Sequence, residues 1–448
     1  MNTQFSSYLK YAGALLCSAL LLFACSKDSD ISKKPDPKEP EPTEKGQLIL
    51  EASATDIDEG DEVTFTVTAD GKAIDADIYV NDQKISGNKQ VFPNSGNYEI
   101  IAKKKDYKDS DKITIEVYAI DIFVSGFQNV TSNNVSATQA LVWKNGEVLY
   151  ELSDGTASAK VAGIALHNDD VYVGGVQSVG YNQEAKYWKN NTSHPLTDGK
   201  GSASVADIAV DDAGNVYIIG GEHNNHKYIL WRNDEIVEIS GQSRYARAIA
   251  IEDDHVYIVG NDGGFPHGNP PIQTAALLWE NGKEIALSDG STFQRALAIT
   301  IDKGDVYILG DENNKNSGVS NIGKYWKNRV PTLLEEAETS VIGLEGGGIT
   351  VHDGDVYVCG SLDDGTTPRL RPIVWKNGKR LYELTEGTSN SNVSDIAVAG
   401  KHVYTVGSIT NIKGKNVAVV WKDAKVLYEL TDGTRRASAG GIAIKRSK

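Results

Sequence analysis

Tryptophan occurs seven times in this chain, at positions 143, 188, 231, 279, 326, 375 and 421, with successive gaps of 45, 43, 48, 47, 49 and 46 residues. Each copy heads a variant of one tetrapeptide, first seen as Trp143-Lys144-Asn145-Gly146. A period of this length is too long for leucine-rich or ankyrin units and suits the four-stranded blade of a β-propeller. Four elements recur in each repeat. An inner strand reads Gly163-Ile164-Ala165-Leu166 in its first copy and Gly441-Ile442-Ala443-Ile444 in its last. A second strand reads Val-Tyr-x-x-Gly, as in Val256-Tyr257-Ile258-Val259-Gly260, a third carries the tryptophan, and a two-residue hairpin such as Asn281-Gly282 leads to the fourth.

The phase of the repeat predicts how the ring closes. The first copy, at Ile122-Phe123-Val124-Ser125-Gly126, lacks an inner strand, and the last copy ends with one at Gly441 to Ile444. One blade is therefore expected to draw strands from both ends of the repeat region, leaving no free sheet edge. The residue after each inner-strand isoleucine is Ala or Thr, small enough for strands crowding an axis. The tryptophans read as inter-blade packing with each indole N–H reaching a carbonyl. A ring of sugar-stacking tryptophans is the competing reading.

The amino-terminal region has a different character. Ala12 to Phe23 is a short apolar run behind Lys10, placed where a secretory signal belongs, and Leu22-Phe23-Ala24-Cys25 resembles a bacterial lipobox. The expectation is a signal peptide over 1–24, acylation at Cys25, a Pro-, Glu- and Lys-rich disordered linker to residue 45, and attachment by lipid to the outer membrane, facing the cell surface. A net charge of −16 argues against nucleic-acid partners. With Cys17 removed, the remaining thiol, Cys359, reads as inert and buried, and no disulfide framework exists.

Residues 46–119 alternate as half-buried strands, among them Val63-Thr64-Phe65-Thr66-Val67 and Ile113-Thr114-Ile115-Glu116-Val117. Gly96-Asn97-Tyr98-Glu99-Ile100 and Tyr107 resemble the bacterial immunoglobulin-like modules of surface proteins, which implies a small β-sandwich acting as a stalk. Asp58-Glu59-Gly60-Asp61-Glu62 reads as a solvated acidic turn, with a calcium loop as the alternative. The repeat region, 120–448, resembles the extracellular propeller repeats of surface lipoproteins that share a Tyr-Trp-Lys-Asn-Gly core, in the style of HAF repeats. Tyr187-Trp188-Lys189-Asn190 and Tyr325-Trp326-Lys327-Asn328 are the nearest copies. That resemblance implies an all-β, seven-bladed propeller and brings no catalytic residues with it.

Ligand binding is expected where the repeats differ. Turns between first and second strands are tight, whereas second-to-third connections are long and irregular and share a face with the crossovers between blades. Positions around that mouth are Lys160, Arg244, Tyr245, Arg247, Phe293, Gln294, Arg295, Glu345, Asn392, Arg435 and Arg436. Guanidinium groups suit carboxylate or sulfate, and the aromatic rings suit stacking on a sugar. The competing reading is scattered loop charge neutralised by nearby aspartates. His223-Asn224-Asn225-His226 lacks the spacing of a metal motif, and no Gly-x-Ser-x-Gly elbow or phosphate loop is present. The expected protein is a monomer without cofactor that binds an extracellular polysaccharide, anionic ones included. The alternatives are a protein-interaction scaffold in an outer-membrane assembly and a carbohydrate-active hydrolase or lyase assembled from several blades.

Overall fold

The computed structural model describes residues 45–132, 135–222, 227–238, 245–262, 274–314, 319–336, 341–344, 346–363, 371–385 and 391–448. Cys25, the lipobox, the linker, Arg244, Glu345, His223 and His226 lie outside the described residues.

The fold is an all-β propeller. Among the described residues, consecutive antiparallel strands form six blades in chain order, the first from Ala159–His167, Asp170–Val179, Asn182–Lys189 and Thr192–Pro195. In the fifth, the inner strand is split into Val341–Gly343 and Ile349–His352. The seventh blade closes the ring as the repeat phase predicts: Ala437–Ser447 pairs antiparallel with Ile113–Ser132, which pairs with Val135–Lys144 and then Glu147–Glu151.

The repeated residues explain themselves locally. In all seven blades the hairpin after the tryptophan places both central residues at positive φ, as at Asn145 (50°) and Gly146 (92°) or Asn328 (47°) and Arg329 (71°), the type I′ geometry whose twist matches a strand pair. Its first side chain then reaches back to the second strand. Asn145 Oδ1 accepts from Ile122 N–H at 2.8 Å, Asn328 Oδ1 from Val306 N–H at 2.9 Å, and the other blades repeat the bond. The lysine of the motif bridges to the aspartate opening that strand, as in Lys189 to Asp170 at 2.7 Å, and lies 5.1 Å from the Tyr172 ring. The motif's polar groups are thus spent on blade structure.

All seven indoles are buried. Each packs into a cluster shared with the preceding blade: Trp231 with Tyr172 and Ala185, Trp421 with Tyr357 and Cys359. This establishes the packing reading over the sugar-stacking ring. The expected indole hydrogen bonds are another matter. Trp375 Nε1 donates to Glu335 O at 3.3 Å, but the Nε1 atoms of Trp143, Trp231, Trp279 and Trp421 are buried without an acceptor. Burial of an indole, of order 150–250 Å² of surface, outweighs the cost of one unpaired donor. The glycine of Val-Tyr-x-x-Gly permits the tight blade: a Cβ on Gly260 would lie 1.8 Å from Tyr245 O, and one on Gly310 would lie 2.1 Å from Arg295 O and 2.6 Å from the Trp326 ring.

Residues 46–119 form two facing sheets around Leu50, Val63, Phe65, Ile78, Phe92, Ile100 and Ile115. The chain leaves this module without a linker, because Ile113–Ser132 is one continuous strand that ends the module and serves the seventh blade.

Candidate ligand-binding channel

Inner strands run from the long-loop face toward the tight turns, and in six blades each carries a β-bulge two residues before its isoleucine. The register shifts fall between Val161 and Gly163, Val205 and Asp207, Ala246 and Ala248, Ala296 and Ala298, Val393 and Asp395, and Ala439 and Gly441. A bulge bends its strand and breaks the ladder. The extra residues Ala162, Ala206, Arg247, Leu297, Ser394 and Gly440 all line one axial cavity of about 790 Å³. Asp207, Asp395, Phe127, Thr300 and Ser438 line it too.

The two carboxylates occupy a column that is otherwise glycine or alanine: Gly163, Asp207, Ala248, Ala298, Gly348, Asp395 and Gly441. Both are half-buried in the channel wall and bound the same way. Ile208 N–H donates to Asp207 Oδ1 at 2.8 Å and Ile249 N–H, on the next blade, to Oδ2 at 3.0 Å. Ile396 N–H donates to Asp395 Oδ1 at 2.8 Å and Ile442 N–H, on the closing strand, to Oδ2 at 3.0 Å. Each aspartate occupies space left by a glycine one blade earlier, since a Cβ on Gly163 or Gly348 would lie 2.4 Å from Asp207 Oδ1 or Asp395 Oδ1. Desolvation pushes Asp207 up to about 7, its backbone donors offsetting part of this and the Asp395 charge adding to it. Burial pushes Asp395 up to about 6. The channel therefore holds two carboxyl groups that take up protons near neutrality.

Of the residues singled out in the sequence, Arg247 lines this cavity; Lys160, Tyr245, Phe293, Gln294, Arg295, Asn392, Arg435 and Arg436 do not. Lys160, Tyr245, Arg295 and Asn392 do share one ladder level, opposite Val176, Asn261, Asp311 and Ser408. Arg295 is committed there, with Nε donating to Asp311 Oδ1 at 2.9 Å and Nη2 to Oδ2 at 2.5 Å, and Asp311 is buried. Gln294 Oε1 accepts from the buried Lys324 ammonium at 3.0 Å. Asn392 Oδ1 accepts from Ser408 Oγ at 2.6 Å, and Tyr245 packs against the Tyr228 ring at 5.4 Å. Phe293 lies beneath the Arg295 guanidinium at 5.8 Å. Lys160, Arg435 and Arg436 are exposed.

Sequence reasoning passed over Asp207 and Asp395, whose signal was two aspartates in a column of small residues. It also passed over Tyr181, fully exposed in the second-to-third turn of the first blade, on the long-loop face. The acidic turn at 58–62 has a different environment from the solvated one expected. Asp58 and Asp61 are buried against the propeller, where Asp61 Oδ1 lies 2.8 Å from His402 Nε2, Lys401 Nζ lies 3.1 Å from Asp61 Oδ2, and Arg446 Nε donates to Asp58 Oδ1 at 2.7 Å.

No protein-family model matches the chain, and no curated protein matches it. Solved structures similar to it include the β-propeller domain of the trilobed protease from Pyrococcus furiosus, at 13% identity over 86% of this chain and 97% of that one, with a TM-score of 0.44. A thermostable family-43 glycoside hydrolase matches at 12% identity over 62% of this chain and 94% of that one, with a TM-score of 0.34. The GH43_1 enzyme from Xanthomonas citri complexed with xylose matches at 8% identity over 61% and 91%, with a TM-score of 0.30. The propeller assignment stands on the strand topology.

Proposed function

We propose that this chain is a surface lipoprotein, anchored through Cys25 and raised on an immunoglobulin-like stalk over 46–119, whose propeller at 120–448 binds a polysaccharide at the long-loop mouth of its channel. The observation that carries the reading is the axial cavity of about 790 Å³, lined by bulged strands with Asp207, Asp395, Arg247, Thr300, Ser394 and Ser438 among small residues. A roomy site with a few polar groups in fixed places suits a ligand rich in hydroxyls. Carboxylates accept from sugar hydroxyls, and the exposed ring of Tyr181 on the same face offers a stacking surface. The cavity lining carries both signs of charge and Arg295 is paired to Asp311, so a neutral glycan fits better than an anionic one.

The test is retention of the full chain on neutral and acidic polysaccharides at low and high salt. Retention by a neutral glycan that salt leaves unchanged supports the channel. Salt-sensitive retention by acidic glycans alone would move binding to the exposed Lys160, Arg435 and Arg436. Retention by none would remove the glycan reading and leave a scaffold in an outer-membrane assembly. A second reading, hydrolysis, is favoured by one observation: Asp207 and Asp395 are carboxyl groups raised to about 7 and about 6 in one cavity. Release of reducing ends, abolished by Asp207→Asn or Asp395→Asn, would establish it.

A further inference from the structure

The seam between the amino-terminal module and the propeller brings together side chains that the repeat itself does not use. In most blades the hairpin asparagine faces an aspartate that opens the second strand, as Asn145 faces Asp121 and Asn377 faces Asp355. The sixth blade reverses the pair: the hairpin carries Asp423 and the strand opens with His402. Asp58 and Asp61 of the module dock on that reversed pair.

Three features set this cluster apart from a surface ion-pair network. One oxygen each of Asp58 and Asp61 and a ring nitrogen of His402 all lie within 4.8 Å of one another. Asp58 is 1% exposed, and its Oδ2 is buried with no hydrogen-bond partner while Arg446 holds Oδ1. Gly400, at φ +52°, leaves room for that oxygen: a Cβ there would lie 2.5 Å from Oδ2. An unpaired buried carboxylate oxygen is costly and calls for a cation. The histidine sits between two carboxylates. Its Nδ1 lies 2.5 Å from Asp423 Oδ2 and its Nε2 2.8 Å from Asp61 Oδ1, so a protonated ring donates to both carboxylates, and a neutral one donates to Asp423 and offers Nε2 to a cation. A metal ion at Nε2 would take the place of the proton shared with Asp61.

We propose that Asp58, Asp61 and His402 form a binding site for one divalent transition-metal ion of the zinc class, which locks the amino-terminal module to the propeller. Ligands would be Asp58 Oδ2, Asp61 Oδ1 and His402 Nε2, with a fourth position left to solvent. Asp423 on Nδ1 is the outer carboxylate that fixes the tautomer of a metal-bound histidine. Charge is compatible as well, because Asp56, Asp58, Asp61 and Asp423 in direct contact are matched by Arg446 and Lys401, with Lys422 turned onto the Tyr404 ring. Lys401 is largely exposed and free to swing away from Asp61. A nitrogen ligand beside so few oxygens selects zinc over calcium, which takes six to eight oxygens.

Calorimetric titration of the EDTA-stripped full chain with Zn²⁺ tests the proposal. The expected result is one ion per chain, a raised Tm in excess Zn²⁺, and no comparable response to Ca²⁺. Asp423→Asn should weaken the site by about tenfold or more while leaving its ligands in place, and Asp58→Asn or His402→Gln should abolish it. Co²⁺ in place of Zn²⁺, bound to the unmutated chain, should give the visible spectrum of a low-coordinate nitrogen and oxygen site. Failure to bind Zn²⁺, preference for Ca²⁺, a six-coordinate aqua-like Co²⁺ spectrum, or loss of binding in a His223→Ala, His226→Ala double variant would each overturn the assignment.

Discussion

Asp395 Oδ2 accepts the backbone N–H of Ile442 at 3.0 Å, so a carboxylate of the sixth blade holds the strand that closes the ring. Asp207 makes the same bond to Ile249 between the second and third blades. In both, a side chain supplies what sheet pairing cannot, a direct hydrogen bond between neighbouring blades.

Removing either carboxylate leaves a buried amide without its acceptor. Asp395→Ala and Asp207→Ala should each lower stability by about 1–3 kcal/mol in denaturant unfolding. Asp395→Ala should also raise protease cutting near the carboxy terminus, because its loss loosens the closing strand. Equal cutting in the two variants would separate Asp395 from ring closure.

These two groups also set a pH dependence of known sign. Their folded values, about 7 and about 6, lie above the ordinary value of 3.8. Such a group contributes stability that is full below its unfolded value and is lost as pH rises through the folded one. Relative to the unmutated chain, Asp207→Asn should therefore gain Tm between pH 4.5 and pH 8, whatever its offset at acid pH. A difference that stays flat over that range would show that Asp207 does not titrate as described.

Gly260→Ala is expected to cost on the order of 3 kcal/mol, since the new methyl group meets backbone at Tyr245 O and cannot be accommodated by a rotamer change. Gly282→Ala, also a glycine but with nothing near its missing Cβ, should lose only what its positive φ costs, about 1 kcal/mol. Urea melts of the two variants make the comparison.

Cys359 is buried among the contacts of the fifth and sixth blades, accepts from Gly348 N–H at 3.2 Å, and has its thiol pushed far above the usual range by burial. Thiol reagents should leave it untouched in the native chain and label it on unfolding. Labelling of the folded protein at a rate comparable to a free thiol would show that the blade opens locally.

The sequence made the architecture legible because every blade solves the same packing problem with the same residues. Trp143 to Trp421 mark the blade interfaces, the hairpin asparagines mark the turns, and the mismatch between first and last copies marks the closure. What stayed hidden occurs once or twice. Asp207 and Asp395 break a column of glycine and alanine, and their role depends on the neighbouring blade. Asp61 looks like part of a solvated turn until it meets His402, 341 residues away. Arg247 was legible as a residue at the mouth, but its place as the bulged residue of an inner strand is set by pairing register. Arg295 looked like an anion receptor because its partner Asp311 lies on the next strand, outside any local pattern.

The most direct test of channel binding is the affinity of the full chain for its best-retained polysaccharide after the cavity is filled. Gly440 lines the cavity at a bulge, and a Cβ there would meet Ser125 O at 3.7 Å and Val161 Cγ2 at 3.8 Å, ordinary contacts that leave room for a side chain. Gly440→Trp should weaken binding by about tenfold or more, a loss of about 1.4 kcal/mol, with Tm unchanged, while an Arg435→Ala, Arg436→Ala double variant binds as the unmutated chain does. Full affinity in Gly440→Trp, with loss in the arginine variant, would contradict the account and place the ligand on the outer rim.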